Sequence, residues 1–262
     1  MNVALYGGTF DPVHLGHVAV ARAAAERFAL RRIYFVPADI PPHKQGQPLT
    51  AYYHRYAMLA LALQGEKNFL PSLLEAPEII RAEGKLASYS VDTVRRFRQR
   101  LGKRDKFFFL IGIDAFLDIS TWRDPVELLR ECEFIVASRP GFSLASAAMA
   151  LPKQMRPRQD IARLFKDRQA SGPLLLSGAS IHFLEGVYEP ESSTVVRQAV
   201  RRGRGLEQLV APPVADYIRK MRLYRNGTEP GSPELPTSSP RRKGQAAGKG
   251  PRLVEGKKRQ RH

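Results

Sequence analysis

Short, almost uninterrupted apolar runs alternate with helical patterns along most of this chain, and this alternation limits the fold more than any other feature. The run at 107–111, Phe-Phe-Phe-Leu-Ile, is too apolar for a half-exposed strand and is predicted at the centre of a sheet. Further strands are predicted at 2–6, 32–36, 134–137 and 174–176, helices at 15–29, 52–63, 89–101, 194–202 and 214–223, and a proline-rich loop at 38–50. This order predicts an α/β fold, a doubly wound, mostly parallel sheet with helices on both faces.

The charge of the chain is unevenly distributed. Its 262 residues carry a net charge of +17, a balance that raises nucleic acid and anionic membrane surfaces as partners. Residues 226–262 hold nine Lys and Arg and three Glu, and contain no Phe, Tyr, Trp, Ile or Met. Such a segment cannot bury enough apolar surface to offset its ordering entropy. We therefore predict a folded domain at 1–225 and a disordered basic tail at 226–262.

Several functional classes find no support in the sequence. The single cysteine, Cys132, permits neither an intramolecular disulfide nor a cysteine-based zinc cluster. No stretch approaches the roughly 18 to 20 apolar residues of a membrane helix, and the first residues lack the pattern of a secretory signal. Neither the glycine-rich dinucleotide fingerprint nor a Walker phosphate loop occurs. We expect a cytoplasmic protein with no membrane partner.

Chemistry-bearing residues concentrate where the first strand ends. Residues 7–17 are Gly-Gly-Thr-Phe-Asp-Pro-Val-His-Leu-Gly-His, a glycine turn that leads into a helix. The start of a helix offers free N–H groups and a partial positive charge to an anion. His14 and His17, three residues apart, lie on one side of the first turn, and Gly16 leaves room for a ligand. Two histidines without a third close ligand are too few for zinc, so no protein metal ligand is predicted.

This segment resembles the signature of the nucleotidylyltransferase superfamily, whose members move a nucleoside monophosphate from a triphosphate onto a phosphate-bearing acceptor. The resemblance implies a Rossmann-like fold. It also implies that His14 and His17 are catalytic, bind the triphosphate and stabilise the charge that develops as pyrophosphate leaves. Further ATP-binding residues implied here are Gly7, Gly8, Thr9, Phe10 and Gly16.

A second segment, Ser192-Ser193-Thr194-Val195-Val196-Arg197, is similar to the Ser-Ser-Thr-x-x-Arg signature of the same superfamily. Hydroxyls and N–H groups at a helix start suit phosphate oxygens, and Arg197 adds a permanent charge one turn on. Taken alone, the segment is a helix N-cap with a surface arginine. Together with 7–17 it predicts a two-sided phosphate clamp, with Ser192, Ser193 and Thr194 binding ATP and Arg197 catalytic.

Three shorter segments resemble bacterial nicotinate-nucleotide adenylyltransferases: 41–44 (Pro-Pro-His-Lys), 88–90 (Ser-Tyr-Ser), and 111–114 (Ile-Gly-Ile-Asp) followed by Trp122. Lys44 either reaches over a phosphate as a catalytic residue or is a solvated loop lysine. Asp114, beside Gly112 in the ATP site, either accepts hydrogen bonds from a ribose diol or caps a helix. Trp122 either stacks on the pyridine ring or is a core residue.

The remaining acceptor residues follow from the same resemblance. Tyr89 and Ser90 are expected at the nicotinate, and Arg139 at the phosphate of the mononucleotide. The predicted activity is transfer of AMP from ATP, with Mg²⁺, to nicotinate mononucleotide by direct in-line attack. The alternatives are a different acceptor, such as nicotinamide mononucleotide or phosphopantetheine, or a nucleic-acid-binding protein on a nucleotide-binding scaffold. Nucleic acid would bind through the basic tail, and a homo-oligomer is compatible with the sequence.

Overall fold

A single sheet organises the protein, here a computed structural model that describes residues 1–41, 48–85, 87–138, 144–156, 174–176, 178–187 and 192–225. Its strands are β1 (Asn2–Gly8), β2 (Arg32–Pro37), β3 (Phe69–Pro71), β4 (Lys106–Gly112), β5 (Glu133–Ala137), β6 (Leu174–Leu176) and β7 (Ala179–Leu184). Their order across the sheet is β3-β2-β1-β4-β5-β7-β6. All neighbours are parallel except β6 and β7, which are antiparallel. The apolar strand β4 lies in the middle, as predicted.

The helices cover both faces of this sheet. They are α1 (Leu15–Arg27), α2 (Tyr52–Ala62), α3 (Pro77–Ala82), α4 (Ser90–Arg98), α5 (Ile113–Leu117), α6 (Pro125–Glu131), α7 (Leu144–Ala150), α8 (Ser193–Arg201) and α9 (Pro212–Lys220). Alternate residues of β1 enter two separate cores: Ala4 and Tyr6 pack with α1, α2, α8 and α9, whereas Val3 and Leu5 pack with α4, α5, α6 and α7. The prediction of a doubly wound sheet is therefore confirmed.

The predicted elements agree with the structure in kind and differ at their ends. The helix predicted at 89–101 is shorter, Ser90–Arg98, and ends in a turn. Two strands were not predicted. β3 has three residues, too few to show a pattern, whereas β7 alternates buried Ala179, Ile181 and Phe183 with less buried Ser180 and His182. That alternation was the available signal for β7.

Two predictions concern segments that lie at or beyond the limits of the described chain. Met1–Gly231 form one compact unit, and its described part ends at Arg225. The predicted tail, 226–262, and residues 42–47 of the loop predicted at 38–50 lie outside the described residues. No helix within the described ranges is both long enough and apolar enough to span a bilayer.

Candidate active site

The order of the strands creates the site. From β1 the chain moves outward through β2 and β3, and it then returns to place β4 on the other side of β1. In open α/β sheets, ligands bind beyond the carboxyl ends of the strands where the order reverses in this way. A cleft of about 490 Å³ lies there. It is lined by twelve predicted site residues: Gly7, Gly8, Thr9, Phe10, His14, Gly16, His17, Gly112, Asp114, Ser192, Ser193 and Thr194.

The two histidines are held together at the start of α1. His14 is the N-cap residue, and its backbone N–H donates to Nδ1 of His17 at 3.2 Å. The two rings lie with their centroids 3.7 Å apart. Since Nδ1 of His17 accepts this bond, the neutral ring carries its proton on Nε2. Burial, and then the charge of His14, hold the pKa of His17 well below its usual range. His17 therefore acts as a neutral hydrogen-bond donor near pH 7.

The glycines at the end of β1 are required by packing. A Cβ atom at Gly8 would lie 2.9 Å from the ring of Phe10, and one at Gly7 would lie 3.0 Å from the ring of Phe109. Phe10 is fully buried and its ring centroid is 4.9 Å from that of His17. A Cβ at Gly112, by contrast, would meet nothing within 4 Å. Gly8 thus lets Phe10 pack closely beside His17, Gly7 makes room for Phe109 on the other face of the sheet, and Gly112 keeps the cleft open.

The start of α8 is bonded directly to the segment that precedes α1. Oγ of Ser192 caps the helix by accepting from the N–H of Val195 at 3.3 Å. Oγ of Ser193 donates to the carbonyl of Pro12 at 2.9 Å. Arg197 donates to the carbonyl of Asp11 at 2.7 Å and to Oγ1 of Thr194 at 3.1 Å. The structure therefore brings the two predicted halves of the clamp together, with Arg197 bridging them beside the lining of the cleft.

Two buried charged side chains support the site and were not assigned a role from the sequence. Asp11 accepts from the hydroxyl of Tyr224 at 2.7 Å, which ties the end of the described chain to the 7–17 segment. Arg55, on α2, is 1% exposed and donates to four backbone carbonyls, those of Thr9, Ala38, Asp39 and Thr50. The signal for Arg55 was a cation in line with Tyr52, Met58 and Leu59 on the buried face of a helix.

The predicted acceptor residues lie in a separate group. Tyr89 is the N-cap residue of α4, and the guanidinium carbon of Arg123 lies 4.7 Å from the centroid of its ring. Trp122 is half-buried and, like Tyr89, packs against the core under α4 to α7. One part of its ring therefore belongs to the core, and the other part is accessible. Oγ of Ser88 accepts from the N–H of Asp39 at 3.2 Å, so this group adjoins the end of β2.

Not every predicted site residue can be placed. Lys44 and Arg139 lie outside the described residues. Asp114 is not the cap of its helix, because Gly112 is; it lies in the first turn of α5 and lines the cleft. In the described ranges, no group of three or more His, Cys, Asp or Glu side chains could hold a metal ion.

The fold and the cleft define a nucleotide-binding α/β protein of the cytidylyltransferase-like class, and the sequence profile of that family matches residues 5–199. Among curated relatives, the probable nicotinate-nucleotide adenylyltransferase of Moorella thermoacetica is 38% identical over 224 residues, which span 86% of this chain and 92% of that protein. The corresponding protein of Geobacter metallireducens is 36% identical over 86% of this chain and 98% of its own. The chain belongs to the nicotinate-nucleotide adenylyltransferase family.

Solved structures show the same fold at lower identity. The nicotinic acid mononucleotide adenylyltransferase of Plasmodium falciparum, complexed with NaAD, matches with a TM-score of 0.61 at 19% identity, over 85% of this chain and 97% of its own. The same enzyme complexed with APC matches with a TM-score of 0.58.

Proposed function

We propose that the cleft transfers AMP from ATP to nicotinate mononucleotide, which yields nicotinate adenine dinucleotide and pyrophosphate in NAD biosynthesis. The observation that carries this proposal is the meeting of the starts of α1 and α8 at one cleft, which is lined by His14 and His17 from one helix start and by Ser193 and Thr194 from the other. Both helix starts direct N–H groups and partial positive charge at the same volume, the arrangement that a triphosphate requires. The names of the relatives agree with this activity.

The chemistry follows from these groups. An oxygen of the mononucleotide phosphate attacks the α-phosphorus of ATP in line, and the bond from that phosphorus to the oxygen that bridges to the β-phosphate breaks. The acceptor phosphate is already ionised at neutral pH, so the reaction needs no general base and no covalent intermediate. The rate acceleration then comes from positioning the two substrates and from stabilising the charge that develops on the phosphates. The Nε2–H of His17 donates to the leaving pyrophosphate, with His14 beside it.

The remaining predicted residues complete the triphosphate site in this proposal. Lys44 reaches over the phosphates from its loop, and Arg197, which holds Asp11 and Thr194, orders the start of α8 and adds positive charge. Because the described side chains form no metal cluster, Mg²⁺ would be held by phosphate oxygens of ATP and enter with the nucleotide. The ion would neutralise part of the phosphate charge.

The group around Tyr89 and Trp122 is the proposed site for the pyridine ring of the acceptor. Ser90 and the start of α4 would donate to the nicotinate carboxylate, and Trp122 would stack on the ring. Arg139 would bind the phosphate of the mononucleotide. A homo-oligomer and binding of nucleic acid through the tail stay predictions.

A pyrophosphate-release assay with purified protein tests the activity and the acceptor together. ATP is offered with nicotinate mononucleotide, nicotinamide mononucleotide or phosphopantetheine. We expect the highest kcat/KM with the first. In the Ser90→Ala variant we expect the preference for the acid over the amide to fall about tenfold, the value of one charge-assisted hydrogen bond. Ser180→Ala, which removes a partly buried hydroxyl on β7 that belongs neither to this group nor to the cleft lining, is the matched control. Release with none of the acceptors would refute the proposal, and a preference for another acceptor would replace the substrate.

A further inference from the structure

A second cavity, of about 580 Å³, lies between the end of α8, the turn that follows it, and α9. Four arginines line this cavity, hereafter the arginine pocket. Its remaining lining residues are Val200, Gly203, Gly205, Leu206 and Ile218, and its arginines are Arg201, Arg204, Arg219 and Arg225. The arginine pocket and the nucleotide cleft share no lining residue.

The carboxylates near the pocket neutralise one of its arginines. Arg219 pairs with Asp216 at 2.5 Å and with Glu207 at 3.8 Å. Arg201 and Arg204 are exposed, and neither side chain forms an ion pair with any of the residues that the structure describes. Several like charges around one concave surface repel each other, and a bound anion relieves that repulsion. The pocket therefore has a surplus of positive charge on the side of Arg201 and Arg204.

The electrostatics of helices explain only part of this arrangement. Arg201 and Arg219 lie in the last turns of α8 and α9, where a cation offsets the partial negative charge of the helix end. Arg204 lies in the turn after α8, and Arg225 follows α9, so neither belongs to a helix. The helix ends do not account for the convergence of all four side chains on one cavity.

We propose that the arginine pocket binds an anion that carries a chain of two or more phosphate groups, either as a free polyphosphate or as part of a nucleotide. Guanidinium groups match phosphate oxygens with paired N–H donors, which a lysine cluster would not do. The cavity, at about 580 Å³, has room for such a chain. Buried Leu206 and Ile218 form an apolar part of its lining.

The pocket and the cleft are connected by one rigid element. α8 presents Ser193 and Thr194 to the cleft at its start and Arg201 to the pocket at its end. At about 1.5 Å per residue, the two ends lie about 12 Å apart along the helix axis. An anion in the pocket is therefore a second ligand, separate from the ATP in the cleft.

Isothermal titration of the full-length protein with inorganic tripolyphosphate tests the proposal. We expect two binding events in the wild-type protein, one in the cleft and one in the pocket. In the variant Arg201→Ala/Arg204→Ala, the pocket event should weaken by at least about tenfold, the value of one lost charge-assisted hydrogen bond or more. Inhibition of ATP turnover by tripolyphosphate, which reports the cleft, should change less than about twofold in the same variant.

The matched control is Arg27→Ala/Arg31→Ala, which removes the same charge from exposed positions, one of them also in the last turn of a helix. It should retain both events. The absence of any binding event that Arg201→Ala/Arg204→Ala weakens would overturn the proposal, whether or not the cleft binds tripolyphosphate. Equal weakening in the two double variants would also overturn it, because it would mean diffuse attraction to positive charge. Titrations with ATP and with orthophosphate, a single phosphate group, separate the two possible sources of the anion. If the pocket binds ATP more tightly than tripolyphosphate, the ligand is a nucleotide. If it binds the two equally, the ligand is a free polyphosphate. An oligonucleotide whose binding is weakened by Arg201→Ala/Arg204→Ala, while the binding of tripolyphosphate is not, would refute the small-anion assignment.

Discussion

Replacing Arg55 by methionine should destabilise the protein far more than the loss of any surface arginine. Its guanidinium donates to the carbonyls of Thr50 at 2.7 Å, Thr9 at 2.9 Å, Ala38 at 2.5 Å and Asp39 at 3.0 Å. Methionine fills a similar volume without donating. At about 1 kcal/mol for each carbonyl left without a donor, the lower end of the usual range, the free energy of unfolding should fall by about 4 kcal/mol. That is a large part of the about 5 to 15 kcal/mol typical of a domain.

Urea denaturation of Arg55→Met and of a matched control measures this loss. Arg22→Met is the control, since Arg22 pairs with Glu66 on the surface and its side chain is 66% exposed. Such a pair contributes less than about 1 kcal/mol. A loss in Arg55→Met no greater than that in Arg22→Met would refute the reasoning, because it would mean that water replaces the guanidinium at all four carbonyls.

Arg55→Lys tests the functional side of the same arrangement. Lysine keeps the charge, but all its N–H donors are on one nitrogen. It therefore cannot reach the four carbonyls to which the planar guanidinium donates. We expect this variant to fold and to show a raised KM for ATP, because the Thr9 carbonyl lies in the loop that lines the cleft. An unchanged KM together with an unchanged kcat would show that the loop keeps its position without the guanidinium group of Arg55.

Four further predictions concern the cleft and the tail. His17→Ala should lower kcat by at least about 100-fold, about 3 kcal/mol of transition-state stabilisation, in a pyrophosphate-release assay. Because the pKa of His17 is lowered in the folded protein, the unfolded chain takes up a proton that the folded chain does not. In urea titrations, the free energy of unfolding of the wild-type protein should therefore fall by about 1 kcal/mol relative to that of His17→Gln as the pH falls from about 7.5 to 5.5. Gly8→Ala should lower the Tm because its Cβ would meet Phe10 at 2.9 Å, whereas Gly112→Ala should keep the Tm and raise the KM for ATP. Deletion of 226–262 should leave adenylyl transfer unchanged.

Each of these results has a contrary outcome. Near-normal turnover in His17→Ala would remove that residue from the transition state. A constant stability difference between the wild-type protein and His17→Gln across the pH range would mean that the folded ring titrates normally. Equal Tm values for Gly8→Ala and Gly112→Ala would show that Phe10 can move at no cost, and loss of catalysis on deletion of 226–262 would place the domain boundary further along the chain.

Much of the fold could be predicted because the relevant signals are local. The apolar run in β4 is visible in five consecutive residues, and its complete burial required the centre of the sheet. The glycines and histidines of 7–17 also form a contiguous segment, so their placement at the start of α1 needed no distant information. By contrast, β3 is an edge strand of only three residues, too short to show a pattern. The antiparallel direction of β6 depends on its pairing with β7, which a local pattern does not show.

The candidate site was predictable in its parts and not in its assembly. Arg197 and Asp11 lie 186 residues apart, and Tyr224 and Asp11 lie 213 apart, yet each pair is joined by a hydrogen bond of 2.7 Å. No periodicity along the chain encodes such a contact, because it arises only when the sheet places distant loops at one edge. The sequence suggested a phosphate-binding role for Arg197; the structure adds that it holds the two halves of the clamp together.

The class of fold, the two segments at 7–17 and 192–197 that we propose bind phosphate, and the family to which they point could all be recognised from the amino-acid sequence, since each is a property of neighbouring residues. The tertiary structure decided which side chains share a cavity and which charges are buried. Arg55 became a buried donor to four carbonyls because the segments that hold residues 9, 38–39 and 50 close around it. The arginine pocket formed because α8, the turn that follows it and α9 all pack against the same core. Burial and convergence depend on packing in three dimensions, which the order of residues specifies only through the completed fold.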